Sequence, residues 1–247
     1  ALLFVALAAC AWWVSSLMLD DGPDKVLNWS LYIPLLVVAA MVPLAPLAFS
    51  AFLSAWTSLL PQKWNAWYLA RRTARHGLSS STSVETPIMV GFGLVAGVFS
   101  IVACAAAYAE AQGAADFAGL DFTTTVLMLG GPVLLCAVGA AVSVVMTSRS
   151  RTRDVALFVA AGARPATLLA EAACEACIHA VTATLVGVAA VVVSNAVVAY
   201  AYGLPLFTGL SFAEGLVVSL VGFALVLVAT LVPTCTALRQ ETAAVLS

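Results

Sequence analysis

The chain has 247 residues, 63% of them hydrophobic and only 9% charged, with 10 Lys+Arg against 12 Asp+Glu and a formal net charge of −2. A domain dissolved in water carries about 25% charged residues, so this composition excludes a soluble globule, and the absence of a basic excess excludes a nucleic-acid binder. Mean hydropathy is +1.08, and uncharged runs of about 18 or more residues, enough to cross ~30 Å of hydrocarbon, recur along the chain.

Six apolar segments follow one another, at about 2–19, 32–59, 87–109, 123–146, 172–202 and 212–232. Period-two alternation is absent and the segments are too long for barrel strands, so the expected fold class is all-α, a polytopic transmembrane helical bundle of about six spans. The second and fifth segments exceed the length a span needs, which requires tilt or a helix that continues beyond the bilayer. The chain opens on Ala1 with neither a basic n-region nor a small-residue cleavage site. The expectation is that the polypeptide begins further upstream and that this is its C-terminal portion.

The connections give the orientation. Lys63, Arg71, Arg72 and Arg75 lie between the second and third segments; Arg149, Arg151, Arg153 and Arg164 lie between the fourth and fifth; Arg239 follows the sixth. The alternate connections hold Lys25 alone, among Asp20, Asp21, Asp24, Glu110, Asp116 and Asp121. Basic short loops stay in the cytoplasm, so both ends are expected there, in a bacterial inner membrane. Trp29, Tyr32, Trp64, Trp67, Tyr68, Tyr200 and Tyr202 cluster at segment ends, as rings at headgroup depth do. The outer connections, 20–31, 110–122 and 203–211, are too short for a folded extracytoplasmic domain.

This pattern divides the chain into two apolar spans over 1–62, a basic cytoplasmic linker over 63–85 with an interfacial helix around 64–75, and a four-span unit over 86–247. Gly91, Gly93 and Gly97 in the third segment, and Gly130, Gly131 and Gly139 in the fourth, supply small residues for close helix approach.

No Walker loop, zincin helix or serine nucleophile elbow is present, so the chain is not expected to be an enzyme. Glu171, Cys174, Glu175, Cys177 and His179 open the fifth segment. A Cys-x-x-Cys pair with a nearby histidine offers a soft-metal site, but on one helix 174 and 177 share a face while 179 points away from 174, and no second pair completes four ligands. Helix packing is the preferred reading, with no metal and no cofactor in this chain. The cysteines are read as unpaired small apolar residues. Glu175 and Glu214 are the acids to consider as functional membrane groups, because charge inside a span costs several kcal/mol unless a cavity, a partner or the interface receives it. Against that, Glu175 can pair with a nearby arginine and Glu214 can reach the outer surface.

The connection from Ser148 to Glu171 is the most informative. Arg149, Arg151 and Arg153 lead into Asp154, then Val155, Leu157, Phe158 and Val159, then the Gly162-Ala163 break, then Arg164-Pro165. Pro165 suits the first turn of a new helix. The short apolar stripe before Gly162 needs headgroups or a protein partner to bury it.

Here the chain resembles the permease family of ABC exporters that includes FtsX, MacB and LolC/LolE. The resemblance rests on Arg153-Asp154 through Gly162-Ala163, on Glu175-Ala176 some dozen residues on, and on the close from Pro233 to Leu246, which resembles that family's proline-ended last helix and short tail. It covers the four-span unit of 86–247. The two preceding spans suggest a larger, duplicated permease whose first half, or a second permease copy, lies outside this sequence. The resemblance implies a membrane subunit whose second-to-third-helix loop docks on a separate ABC ATPase, which holds the ATP and Mg. The docking element is then Arg151, Arg153, Asp154, Leu157, Phe158, Gly162 and Arg164, with Leu157 and Phe158 as anchors and the arginines steering. An apolar cavity suits a hydrophobic or amphipathic substrate moved outward. Two other classes remain: an ion-driven secondary transporter, disfavoured by span interiors nearly free of ionisable groups, and an FtsX-like signalling scaffold that transports nothing.

Overall fold

The structure is a computed structural model and describes residues 2–20, 29–60, 64–76, 78–113, 127, 129–140, 142, 155, 158–159 and 162–246. Among these, every regular element is helical. In chain order they are α1 (Leu2–Asp20), α2 (Tyr32–Met41), a 3-10 turn (Val42–Leu44), α3 (Ala45–Leu59), α4 (Asn65–His76), α5 (Leu78–Ala111), α6 (Leu129–Ala140), α7 (Pro165–Ala201) and α8 (Ala213–Leu246).

Four stretches are long and apolar enough to cross a bilayer: Tyr32–Leu59, Thr82–Ala111, Pro165–Ala201 and Ala213–Thr236. Leu3–Ser16 and Leu129–Ala140 are apolar helices of shorter length, lying within the first and fourth expected segments. The fourth segment is described only in part. The helix expected around 64–75 is α4.

Proline positions account for one departure and fail to produce two others. The second segment is broken, because Pro43 sits in the 3-10 turn and Pro46 opens α3, where neither can donate a backbone hydrogen bond. The third segment does not start at Pro87: α5 begins nine residues earlier, at Leu78, and carries Pro87 inside it. Val84, Glu85 and Ile88 are buried around that proline, and burial outweighs the one ladder bond lost. The sixth segment does not end at Pro233 either, since α8 runs on to Leu246. Next to the proline, the Thr234 hydroxyl donates to Thr230 O (2.7 Å) and the Thr236 hydroxyl to Val232 O (3.1 Å) and Pro233 O (2.9 Å). These hydroxyls bond back along the helix to carbonyls of the preceding turn.

Two compact units divide the chain. The first holds Ala1–Ala45, Ile88–Cys136 and Thr184–Ser219. Phe92, wholly buried, is gripped from two helices by glycines: a Cβ on Gly187 would lie 2.7 Å from its Cδ1, and one on Gly215 would lie 2.9 Å from its Cε2. On α5, Gly93 meets Val38 and Gly97 meets Pro34, each at 2.8 Å from a built Cβ, and Gly91 meets Val218 at 3.0 Å. These are close approaches that only small residues permit. The glycines of α6 differ from expectation: Gly131 faces open space.

The segment joining α7 to α8 is pinned to the same unit. Asn195 Nδ2 donates to Leu206 O (3.2 Å) and Thr208 O (3.0 Å), and the Ser211 amide donates to Ser100 Oγ (3.0 Å). A buried amide side chain bonded to loop carbonyls satisfies groups that lipid cannot.

The second unit holds Pro46–Pro87, Ala137–Ala183 and Leu220–Ser247. Here Ala70 and Ala74 of α4 are buried with Leu53 of α3 and Ile178 of α7, flanked by Trp56, Trp67 and Cys174. Trp56 and Trp67 meet edge-to-face with centroids 5.9 Å apart. The Trp56 indole N–H donates to Thr182 Oγ1 (3.0 Å), so its polar tip is satisfied where its body is buried. Gly139 makes only ordinary contact with Pro87, at 3.8 Å.

Candidate functional site

The elbow before α7 is built from a helix stop and a helix start set back to back. Val155, Phe158 and Val159 are helical. The Gly162 amide donates to Val159 O (2.9 Å), and the Ala163 amide donates to Phe158 O (3.0 Å). That pair of bonds, with Gly162 at φ +85°, is a Schellman stop, which takes glycine because the left-handed conformation crowds a Cβ. Arg164 then serves as the start of α7, its carbonyl accepting from Thr167 N (2.9 Å) and Leu168 N (3.2 Å). Pro165 occupies the first helical position, where its missing N–H costs nothing.

The apolar stripe of the elbow is partly covered by the chain itself. Val155 and Leu168 are buried, with Phe158, Val159, Ala163 and Leu238 packed against them. Phe158 is half-buried, while Gly162 and Arg164 are exposed. Of the docking residues expected from sequence, Phe158, Gly162 and Arg164 therefore stand together on one capped elbow. Arg151, Arg153, Asp154 and Leu157 lie outside the described residues.

α7 spans 37 residues without a break, roughly 55 Å at 1.5 Å per residue. It rises from the elbow as a lever longer than the hydrocarbon is thick.

Fourteen residues along this lever lies a feature that sequence reasoning missed. His179 Nδ1 is 2.7 Å from Glu85 Oε1, across 94 residues of chain. Glu85 is wholly buried and His179 is 5% exposed. The other ring nitrogen, Nε2, faces Glu175 Oε1 at 3.6 Å, one turn back on α7, an ion-pair distance too long for a hydrogen bond. Glu175 thus faces His179. The placement of Glu85 in a linker hid the pair, as did treating the histidine as a candidate metal ligand. Glu85 falls within the stretch Thr82–Ala111, three residues from its start.

Cys174 is half-buried and Cys177 exposed, and all six cysteines are free thiols. Among the described residues, no three His, Cys, Asp or Glu side chains gather as a metal site. Glu214 lies in the first turn of α8, where its carboxylate accepts from the Ser211 hydroxyl (2.8 Å). An acid there complements the helix dipole, a local structural role.

Long apolar helices and a capped elbow leading into the longest of them define a multi-pass, all-helical membrane protein. Residues 126–242, just under half of the chain, match the family model described as FtsX-like permease C-terminal, and this part of the chain is similar to an FtsX-like permease unit. The match takes in the elbow, α6, α7 and most of α8. No curated protein and no solved structure matches the chain.

Proposed function

We propose that the chain is the membrane subunit of an ABC-type exporter, coupling ATP hydrolysis by a separate nucleotide-binding subunit to outward movement of a hydrophobic or amphipathic substrate. The observation that carries this reading is the elbow: a glycine-stopped, partly covered apolar turn joined through Arg164-Pro165 to an unbroken lever, inside the matched permease unit. A motor gripping Phe158 and its neighbours would transmit its closure along α7. In this reading the chain has no catalytic activity and holds no cofactor, ATP and Mg residing in the partner. The shorter helices α1 and α6 complete six crossings with both ends cytoplasmic, in a bacterial inner membrane, as the nine-to-one partition of cations supports.

Gly162 provides the test. Among the described residues nothing lies within 4 Å of a Cβ built there, so a substitution is expected to act chiefly through φ. Valine in the left-handed region costs about 1–2 kcal/mol, whereas asparagine tolerates it. Gly162→Val is expected to lower ATPase stimulation by the membrane subunit about tenfold without reducing membrane insertion, and Gly162→Asn to restore most of it. Equal coupling in all three proteins would remove the elbow from the transmission path.

A second reading, an ion-driven transporter, is favoured by one observation, the buried Glu85–His179 pair. Transport that persists in vesicles without nucleotide but collapses with the proton gradient would select it.

A further inference from the structure

The Glu85–His179 pair joins α5 to α7 with both side chains buried, and the protonation state of one partner fixes the hydrogen bonds of the other. The imidazole is flanked by carboxylates on both ring nitrogens, Glu85 Oε1 at 2.7 Å and Glu175 Oε1 at 3.6 Å. A neutral imidazole carries one N–H and presents a lone pair at its other nitrogen; only the imidazolium offers a proton to each side. The second oxygen of Glu85, Oε2, is buried with no hydrogen-bond partner among the described residues, so the carboxylate has accepting capacity turned into the protein.

We propose that Glu85, His179 and Glu175 form a proton-binding site that latches α5 to α7. With the proton bound, the imidazolium bridges the acids. When it leaves for solvent, the remaining histidine N–H serves Glu85 and a lone pair confronts Glu175, which loosens the clasp. Among the described residues, the packed elements bring few other ionisable groups. On α7 these are Glu171, Cys174 and Cys177; α4, packed here through Ala70 and Ala74, brings Arg71; α3 brings none, and Cys235 of α8 is exposed. The latch sits on the lever that starts at the elbow, so proton occupancy would bias how freely α7 moves against α5. This holds for any agent that moves α7 and stands apart from the exporter reading.

The chain has only two histidines, His76 and His179, which makes a direct test simple. In ¹⁵N-histidine protein reconstituted in lipid nanodiscs, with His76→Gln to leave a single ring, the His179 nitrogen signals are followed over about pH 5 to 9, and a proton gained or lost at the ring is the expected result. Glu85→Gln is expected to weaken proton binding at least tenfold, a midpoint shift of about one pH unit, and Glu175→Gln by less. Thermal stability should follow the same step in the His76→Gln protein and lose it in His179→Gln. A His179 ring that stays in one protonation state across that range, or an unshifted midpoint in Glu85→Gln, overturns the proposal. If Glu85→Gln does not fold, the ring titration with Glu85 intact and the Glu175→Gln shift decide it: no step, or no shift, overturns it equally.

Discussion

Gly209→Ala should be among the most destabilising single substitutions in the first unit. A Cβ at 209 would lie 2.4 Å from Cys104 N, 2.7 Å from Cys104 Cα and 2.8 Å from Ala103 C. All three are backbone atoms of a helix, so no rotamer change relieves the overlap. The residue also sits at φ +77°, which alanine adopts only with strain. Both terms act together, and overpacking against backbone adds to the conformational cost, for an expected loss of about 3 kcal/mol or more. The segment from 203 to 211 would lose its seat on α5, taking with it the Asn195 and Ser100 bonds. Gly113→Ala separates the two terms, because Gly113 has the same φ of +77° with nothing within 4 Å of a built Cβ. That variant should lose only about 1 kcal/mol. Thermal unfolding midpoints of the two purified variants make the comparison, and equal shifts would mean the loop does not lie on α5 as described.

Phe158→Asp should have the largest effect on partnership. Phe158 is half-buried against Val155, Leu168 and Leu238, and its remaining surface is the largest apolar group described on the elbow stripe. Loss of that ring removes about 1–1.5 kcal/mol of apolar contact within the chain. A charge at the centre of a docking patch costs a further 2 kcal/mol or more, about 30-fold in affinity. Co-purification with the ATPase subunit is expected to disappear while membrane insertion is retained. The Schellman bonds, which are made by the backbone, should hold the elbow's shape, and Phe158→Leu should keep most of the binding. Undiminished co-purification and coupled ATPase in Phe158→Asp would strip the elbow of its docking role.

What the sequence made legible was whatever a local pattern encodes. Uncharged length marked the spans, the Gly162-Ala163 and Arg164-Pro165 punctuation marked a stop and a start, and the glycines marked two close approaches of α5, Gly93 and Gly97 towards α2 and Gly91 towards α8. Proline misled in two places. At Pro87 and Pro233 its local preference to end a helix was overridden, at Pro87 with buried residues all round it, which a short window does not show. Pro43 and Pro46, only three apart, were the unused signal for the break between α2 and α3. The Glu85–His179 pair was illegible for a deeper reason. A contact across 94 residues leaves no periodic trace, and one acid beside a Ser-rich linker reads as solvated until a helix carries it inward. An acid three residues from an apolar run, in a chain with only two histidines, was the available clue.

The side of the membrane on which the elbow lies tests the exporter reading most directly. In a cysteine-free background, single cysteines at Ser80, Ala115 and Ala163 can be probed in intact cells with a membrane-impermeant maleimide. Labelling of Ala115 from outside, with Ser80 and Ala163 labelled only after the membrane is opened, is the predicted result. External labelling of Ala163 would put the elbow out of reach of any cytoplasmic ATPase and contradict it.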